Sequence, residues 1–202
     1  GKEKAQMSPV IEKLKALGYD VLFATEPLDE IMFESLRSYK DVDIKDAGKD
    51  TSFDDTEEAK KKKEELNREY VDVINYLETT LSGSVEKVTV SDLLTDSPAA
   101  LVQGAYGMSP SMQRYMKAQA VAAGSQVGDI DNMNKVCMEI NPKHPIIKDL
   151  EKMVKADKEG EATKDFAMLL FDVAGLTSGY EVNDMSGFAK RVMGMMSTGS
   201  AE

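Results

Sequence analysis

The sequence is poor in the residues from which most active sites are built. Its 202 residues include one cysteine, one histidine and no tryptophan. One cysteine closes no intrachain disulfide, and so little cysteine in a chain of this size fits a reducing compartment. One histidine and one cysteine leave little for a zinc site or a nucleophile–base pair. Positive charge is also short: 25 Lys and Arg stand against 36 Asp and Glu, a net charge of −11. Nucleic acids and anionic membranes are polyanions, so this balance disfavours both as partners. Long apolar runs are missing too. The best, from Phe166 to Leu176, falls well short of the about 18 continuous residues of a membrane span. The opening GKEKAQMSPV has no signal-peptide core. It begins with Gly1 rather than Met, and we expect a piece excised from a longer chain. What the sequence does have in excess is methionine, 13 residues of it.

The apolar pattern predicts a mixed α+β chain. Ser8-Pro9 opens a helix carrying Val10, Ile11, Leu14 and Leu17, and Gly18 stops it. Tyr19 to Thr25 reads as a buried strand and residues 28–38 as a helix. Val42 and Ile44 mark another short strand. Residues 46–58 form a loop, with Asp55 and Glu58 as a capping box for the helix that follows. Leu66, Tyr70, Val73, Ile74, Leu77 and Leu81 make one helical stripe ending at Gly83, and the lysines at 60–63 lie on its solvated face. Strands are expected at 85–90, 99–105 and 136–140. Helices are expected from Ser109-Pro110, from His144-Pro145, over 166–176 and near the C-terminus. The boundary between two parts falls near residues 80–86.

Nothing in this pattern assembles a catalytic site. Phosphate-cradling glycine loops are absent, and no Cys or His pair has metal-ligand spacing. His144, at a helix start, reads as a cap, and Cys137, in an apolar strand, as an inert buried thiol. The last two helices say more. Residues 166–176 are apolar around most of the circumference, and such a helix must be covered on several sides. The cover is either the rest of this chain or a second copy forming a four-helix bundle. Methionine also has two readings. It fills gaps in cores, and it suits surfaces that accept many partners. Met108, Met112, Met116 and Met133 are the candidates for such a surface. Two other readings stay open: a metal-using enzyme built on the Asp/Glu-rich loops, and a non-catalytic adaptor with one fixed partner.

Four segments resemble one family. GYDVLFATEPLDE (18–30), YGMSPSMQRYMKAQA (106–120), EINPKHPIIKDL (139–150) and DFAMLLFDVAGLTSGY (165–180) are similar to heat shock protein 90 chaperones. Their order matches the end of the middle domain followed by the C-terminal domain, over roughly residues 5–196. The resemblance implies that residues 1–83 are the small αβα portion of the middle domain. Residues 84–202 would be a mixed α/β C-terminal domain ending in a helical dimerisation bundle. The parent would be an ATP-dependent homodimeric chaperone inside the cell, in the cytoplasm or an organelle lumen. Its ATP and Mg would bind in domains absent here, so this piece would hold no cofactor and catalyse nothing. Phe166, Leu169, Leu170, Val173, Ala174, Phe188, Val192, Met193 and Met196 would line the dimer interface. Unfolded clients would meet Met108, Met112 and Met116, together with Val127, Ile130 and Met133 of the 124–134 segment; co-chaperones are further candidate partners. There are two departures. Met108 stands where most relatives have Trp, and the 124–134 segment carries Asp129 and Asp131 where many relatives are more apolar.

Overall fold

A computed structural model of the chain describes residues 2–49, 56–91, 93–104, 107–124 and 135–198. The N-terminal portion holds short helices α1 (Lys2–Gln6) and α2 (Glu12–Ala16), with a 3-10 turn at Pro9–Ile11 between them, and helix α3 (Pro27–Ser35). A small antiparallel hairpin follows, β1 (Ser38–Tyr39) and β2 (Val42–Asp43). Its turn residues Lys40 and Asp41 both have positive φ, the geometry of a two-residue hairpin turn. Next come α4 (Glu57–Glu69), α5 (Val71–Thr80), β3 (Val85–Val90), β4 (Ala99–Gln103) and α6 (Pro110–Ala122). The chain finishes with β5 (Val136–Ile140), α7 (Pro145–Ala156), α8 (Glu161–Ser178) and α9 (Met185–Thr198). The protein is α+β, as the pattern predicts.

The centre is a three-stranded sheet in the order β3-β5-β4, with β5 parallel to β3 and antiparallel to β4. Every residue of β4 and β5 is buried, which is why both read as nearly unbroken apolar runs. Side chains alternate between two cores, as the strand period requires. Ala99, Leu101, Val136, Met138 and Ile140 face the larger core with α5, α7 and α8. Ala100, Val102 and Cys137 face a smaller one with Val10, Ile11, Leu14, Leu93 and Leu94. The larger core runs across residue 83: Tyr70 to Leu81 pack with the strands that follow them.

Both sheet edges are blocked by side chains or loops. On β3, the outward N–H of Val88 donates to Glu78 Oε1 at 2.9 Å and that of Val90 to Asn67 Oδ1 at 3.0 Å. On β4, Leu101 N–H donates to Ser178 Oγ at 2.9 Å and Gln103 N–H to the Gly48 carbonyl at 2.7 Å. These bonds satisfy groups that would otherwise pair with another chain.

Three expectations are corrected here. Tyr19 to Thr25 forms no strand: Tyr19 and Leu22 are exposed, and only Val21 and Phe23 pack, against the smaller core. The apolar content there buries alternate residues on the body of the protein without pairing the backbone. The long helix is two helices, interrupted at Tyr70 (φ −96°, ψ 17°), whose hydroxyl donates to the Pro142 carbonyl at 3.0 Å. The stripe from Leu66 to Leu81 still packs on one core, so the break redirects the helix without losing the face. The cap of α4 is Thr56, whose hydroxyl oxygen accepts from Ala59 N–H at 3.3 Å; Asp55 lies outside the described residues.

Candidate functional site

Helices α8 and α9 carry a group of exposed apolar side chains. One face of α8, with Thr163, Ala167, Leu170, Ala174 and Gly175, is buried in the chain's own core. A quarter-turn round the helix lie Ala162, Phe166, Leu169, Val173 and Leu176, spaced 4, 3, 4, 3. That is the heptad spacing of a helix–helix seam. Val173 is 40% and Leu176 44% exposed, and Phe166 and Leu169 are half-buried. Helix α9 carries a matching row, Met185, Ala189, Val192 and Met196, spaced 4, 3, 4, with Met193 beside it. Met185, Met193 and Met196 are 60%, 61% and 69% exposed. The two helices are fixed to one another on a different side. Arg191 Nη2 lies 2.7 Å from Asp172 Oδ2, both side chains only 13% exposed, and Nη1 meets Met168 Sδ at 3.8 Å. The two rows are therefore held in place and partly open: Phe166 packs against the chain's own core, while Val173, Leu176, Met185 and Met196 are exposed.

Helix α6 is the second candidate surface. Ser109 caps it, its Oγ accepting from Met112 N–H at 3.1 Å. Arg114 Nη1 donates to the Gly179 carbonyl at 2.8 Å, and Lys117 pairs with Glu181 at 3.7 Å, so the helix is pinned to the turn after α8. Gly179 takes the left-handed conformation there (φ +90°), the usual end of a helix. Met108, Met112 and Met116 are half-buried, while Tyr115 (46%) and Val121 (66%) are open. Helix α3 packs near α6 and leaves Leu28, Ile31 and Met32 exposed.

The remaining chemistry-bearing residues are structural. His144 caps α7, its Nδ1 accepting from Ile146 N–H at 3.2 Å. Cys137 is buried. Among the described residues no group of three or more His, Cys, Asp or Glu could hold a metal ion, and no helix is long and apolar enough to cross a membrane. A cavity of about 340 Å³ lies between α6, α8 and α9, but its Lys117 and Arg191 are already paired with Glu181 and Asp172. Tyr180, half-buried, lines it, and burial, with Cys137, Asp46 and Glu30 nearby, holds its hydroxyl well above the ordinary tyrosine range.

Comparison with known proteins decides the family. The model of the Hsp90 protein family matches residues 1–201. The chain belongs to the Hsp90 family. It is 39% identical over 194 residues to an endoplasmin homolog of Caenorhabditis elegans, covering 95% of this chain and 26% of that protein. It is 39% identical over 199 residues to heat shock protein 83 of Leishmania donovani, covering 98% of this chain and 44% of that protein. The chain thus spans between a quarter and a half of the length of these relatives.

Within this Hsp90 chain the expected site residues divide. Phe166, Leu169 and Val173 fall on the α8 seam, and Val192, Met193 and Met196 on the open face of α9; Phe188 is half-buried. Leu170 and Ala174 do not belong with them. At 5% and 2% exposure they are covered by the chain's own core and have almost no area left to offer a partner. A helix apolar all round gave no means of telling the two faces apart. Ala162, Leu176, Met185 and Ala189 extend the two apolar rows, and their 4-3-4 and 4-3-4-3 spacings are readable in the sequence. Met193, Met195 and Met196 are open on the single chain, whereas Met108, Met112 and Met116, expected on an open client surface, are half-buried. Val127, Ile130 and Met133 lie outside the described residues.

Proposed function

We propose that this chain is the dimerisation and client-binding portion of an ATP-dependent Hsp90 chaperone acting inside the cell, in the cytoplasm or an organelle lumen. In this reading the chain runs from the small αβα portion of the middle domain into the dimerisation domain; a boundary at residue 83 would cut one core, since Tyr70 to Leu81 pack with the strands that follow. Two copies pair α8 and α9 into a four-helix bundle. ATP and Mg act in other parts of the parent, and this portion holds two protomers together, so that closure driven upstream changes the shape of the client cleft.

The observation that supports this best is the pair of partly open heptad rows on two helices locked to each other by Arg191 and Asp172. A seam of that spacing buries itself against another helix, and a two-fold axis supplies one without any further partner. Family membership points the same way. Clients would meet α6 and the exposed apolar side chains of α3, where Met32, Met112 and Met116 offer flexible thioethers to sequences of many kinds.

A non-catalytic adaptor with one fixed folded partner is the alternative, and an aggregation assay separates the two. Two unrelated unfolded proteins are diluted from denaturant with and without the chain. The chaperone reading expects suppression of both, with several-fold more protein needed after Met112→Ser and Met116→Ser. Suppression of neither sinks it.

A further inference from the structure

The N-terminal portion is fastened through two glutamates, Glu12 to the loop before β4 and Glu30 to the start of α6. Glu12, the first residue of α2, takes five hydrogen bonds on one carboxylate. Three come from the N–H groups of Thr95 (2.9 Å), Asp96 (2.9 Å) and Ser97 (3.3 Å). Two come from the hydroxyls of Thr95 (3.2 Å) and Ser97. From the other side Asn141 donates its side-chain amide to the carbonyls of Thr95 and Ser97, each at 3.2 Å. Beneath the loop Val10, Ile11 and Leu14 pack with Leu93 and Leu94. A second fastening has the same chemistry: Ser109 Oγ–H donates to Glu30. Both serines precede proline, and a Ser-Pro step on a surface loop is the pattern that proline-directed protein kinases read. Thr95 and Asp96 are exposed and Ser97 is half-buried, so the loop is open from the solvent side.

We propose that Ser97 is a phosphorylation site, and that its modification unlatches residues 8–14 from the sheet. A proline-directed kinase moves the γ-phosphoryl group of ATP onto Ser97 Oγ. The bond from that phosphorus to the bridging oxygen of ADP breaks, and the hydroxyl proton passes to the kinase's own base. A hydrogen-bond donor is thereby replaced by a group of about −1.5 to −2 charge. It faces the Glu12 carboxylate, with which it now repels, and its oxygens compete for the same backbone N–H groups of 95–97. Ser109 differs because it caps α6, where a helix N-terminus favours added negative charge. Ser97 is the position where modification loosens the joint without that compensation.

The test uses the whole chain, a purified proline-directed Ser/Thr kinase and ATP, read by mass spectrometry and amide hydrogen exchange. Phosphate is expected on Ser97 and is lost in Ser97→Ala. Exchange at residues 10–14 should then rise about tenfold or more, as for loss of one charge-assisted hydrogen bond, while β5 and α7 stay protected. Glu12→Gln, which weakens the hold on the hydroxyl, should speed the modification. No phosphate on Ser97, or phosphate with unchanged exchange at 10–14, overturns the proposal.

Discussion

Placing a charge at Val173 tests the bundle where its two halves would meet. The open apolar side chains Val173, Leu176, Met185, Met193 and Met196 are each 40–69% exposed. Together they amount to roughly two to three whole side chains per protomer. At about 1.5–3 kcal/mol for each fully buried side chain, covering them yields on the order of 4–8 kcal/mol per protomer. A two-fold axis doubles that to about 8–16 kcal/mol, comparable with the association cost of about 4–15 kcal/mol. Val173→Glu removes one apolar contact and buries an unpaired carboxylate, twice per dimer. Even about 2 kcal/mol per copy weakens the dimer roughly 1,000-fold. Isothermal dilution calorimetry gives the constant, and a thermal melt checks the fold, since Val173 lies off the intrachain core. Lys164→Glu, on an exposed face of the same helix outside the seam, is the control and should leave dimerisation nearly unchanged. A Val173→Glu chain that associates as tightly as the parent refutes the assignment of the seam.

Other expectations follow from the same geometry. Leu170→Ala should lower stability by about 2–5 kcal/mol in denaturant titration, because Leu170 is a core residue; a change in association alone would contradict its placement. Burial pushes the Glu12 carboxyl up, but the hydrogen bonds from the Ser97 hydroxyl and the N–H groups of Thr95, Asp96 and Ser97 more than offset it, leaving it below its ordinary value of 4.5. A lowered pKa contributes stability that is present above the unfolded value and lost as pH falls through the folded one. Acid below about pH 4.5 should therefore loosen residues 8–14 first, as hydrogen exchange would report, and Glu12→Gln should remove that part of the pH dependence. Asp172→Ala leaves Arg191 nearly buried without its counter-ion and should cost about 3 kcal/mol in a melt. The isolated chain should turn over no ATP above the buffer rate; a Mg-dependent rate would overturn the non-catalytic reading.

Much of the fold is legible in the sequence because the central strands are buried on both faces. That burial makes 99–103 and 136–140 apolar enough to recognise, while 85–90 shows through Val85, Val88 and Val90 on either side of the exposed Glu86 and Lys87. The starts of α6 and α7 are legible for a local reason: Ser109 and His144 cap their own helices just before a proline. What sequence reading misses depends on distant partners. Tyr70 breaks its helix while anchored to Pro142, 72 residues away. Glu12 reaches a loop 83–85 residues on, and nothing near it in the chain marks it as special. The interface is half legible. Apolar content shows that α8 needs cover on several sides, but only the burial of Leu170 and Ala174 in the same core as Leu101 and Met138 tells which side the chain covers for itself.

Sedimentation equilibrium of the unaltered chain bears most directly on the central claim. Over a series extending well above micromolar concentration, pairing of α8 and α9 predicts a mass of twice 22.2 kDa. A single 22.2 kDa species throughout would contradict it.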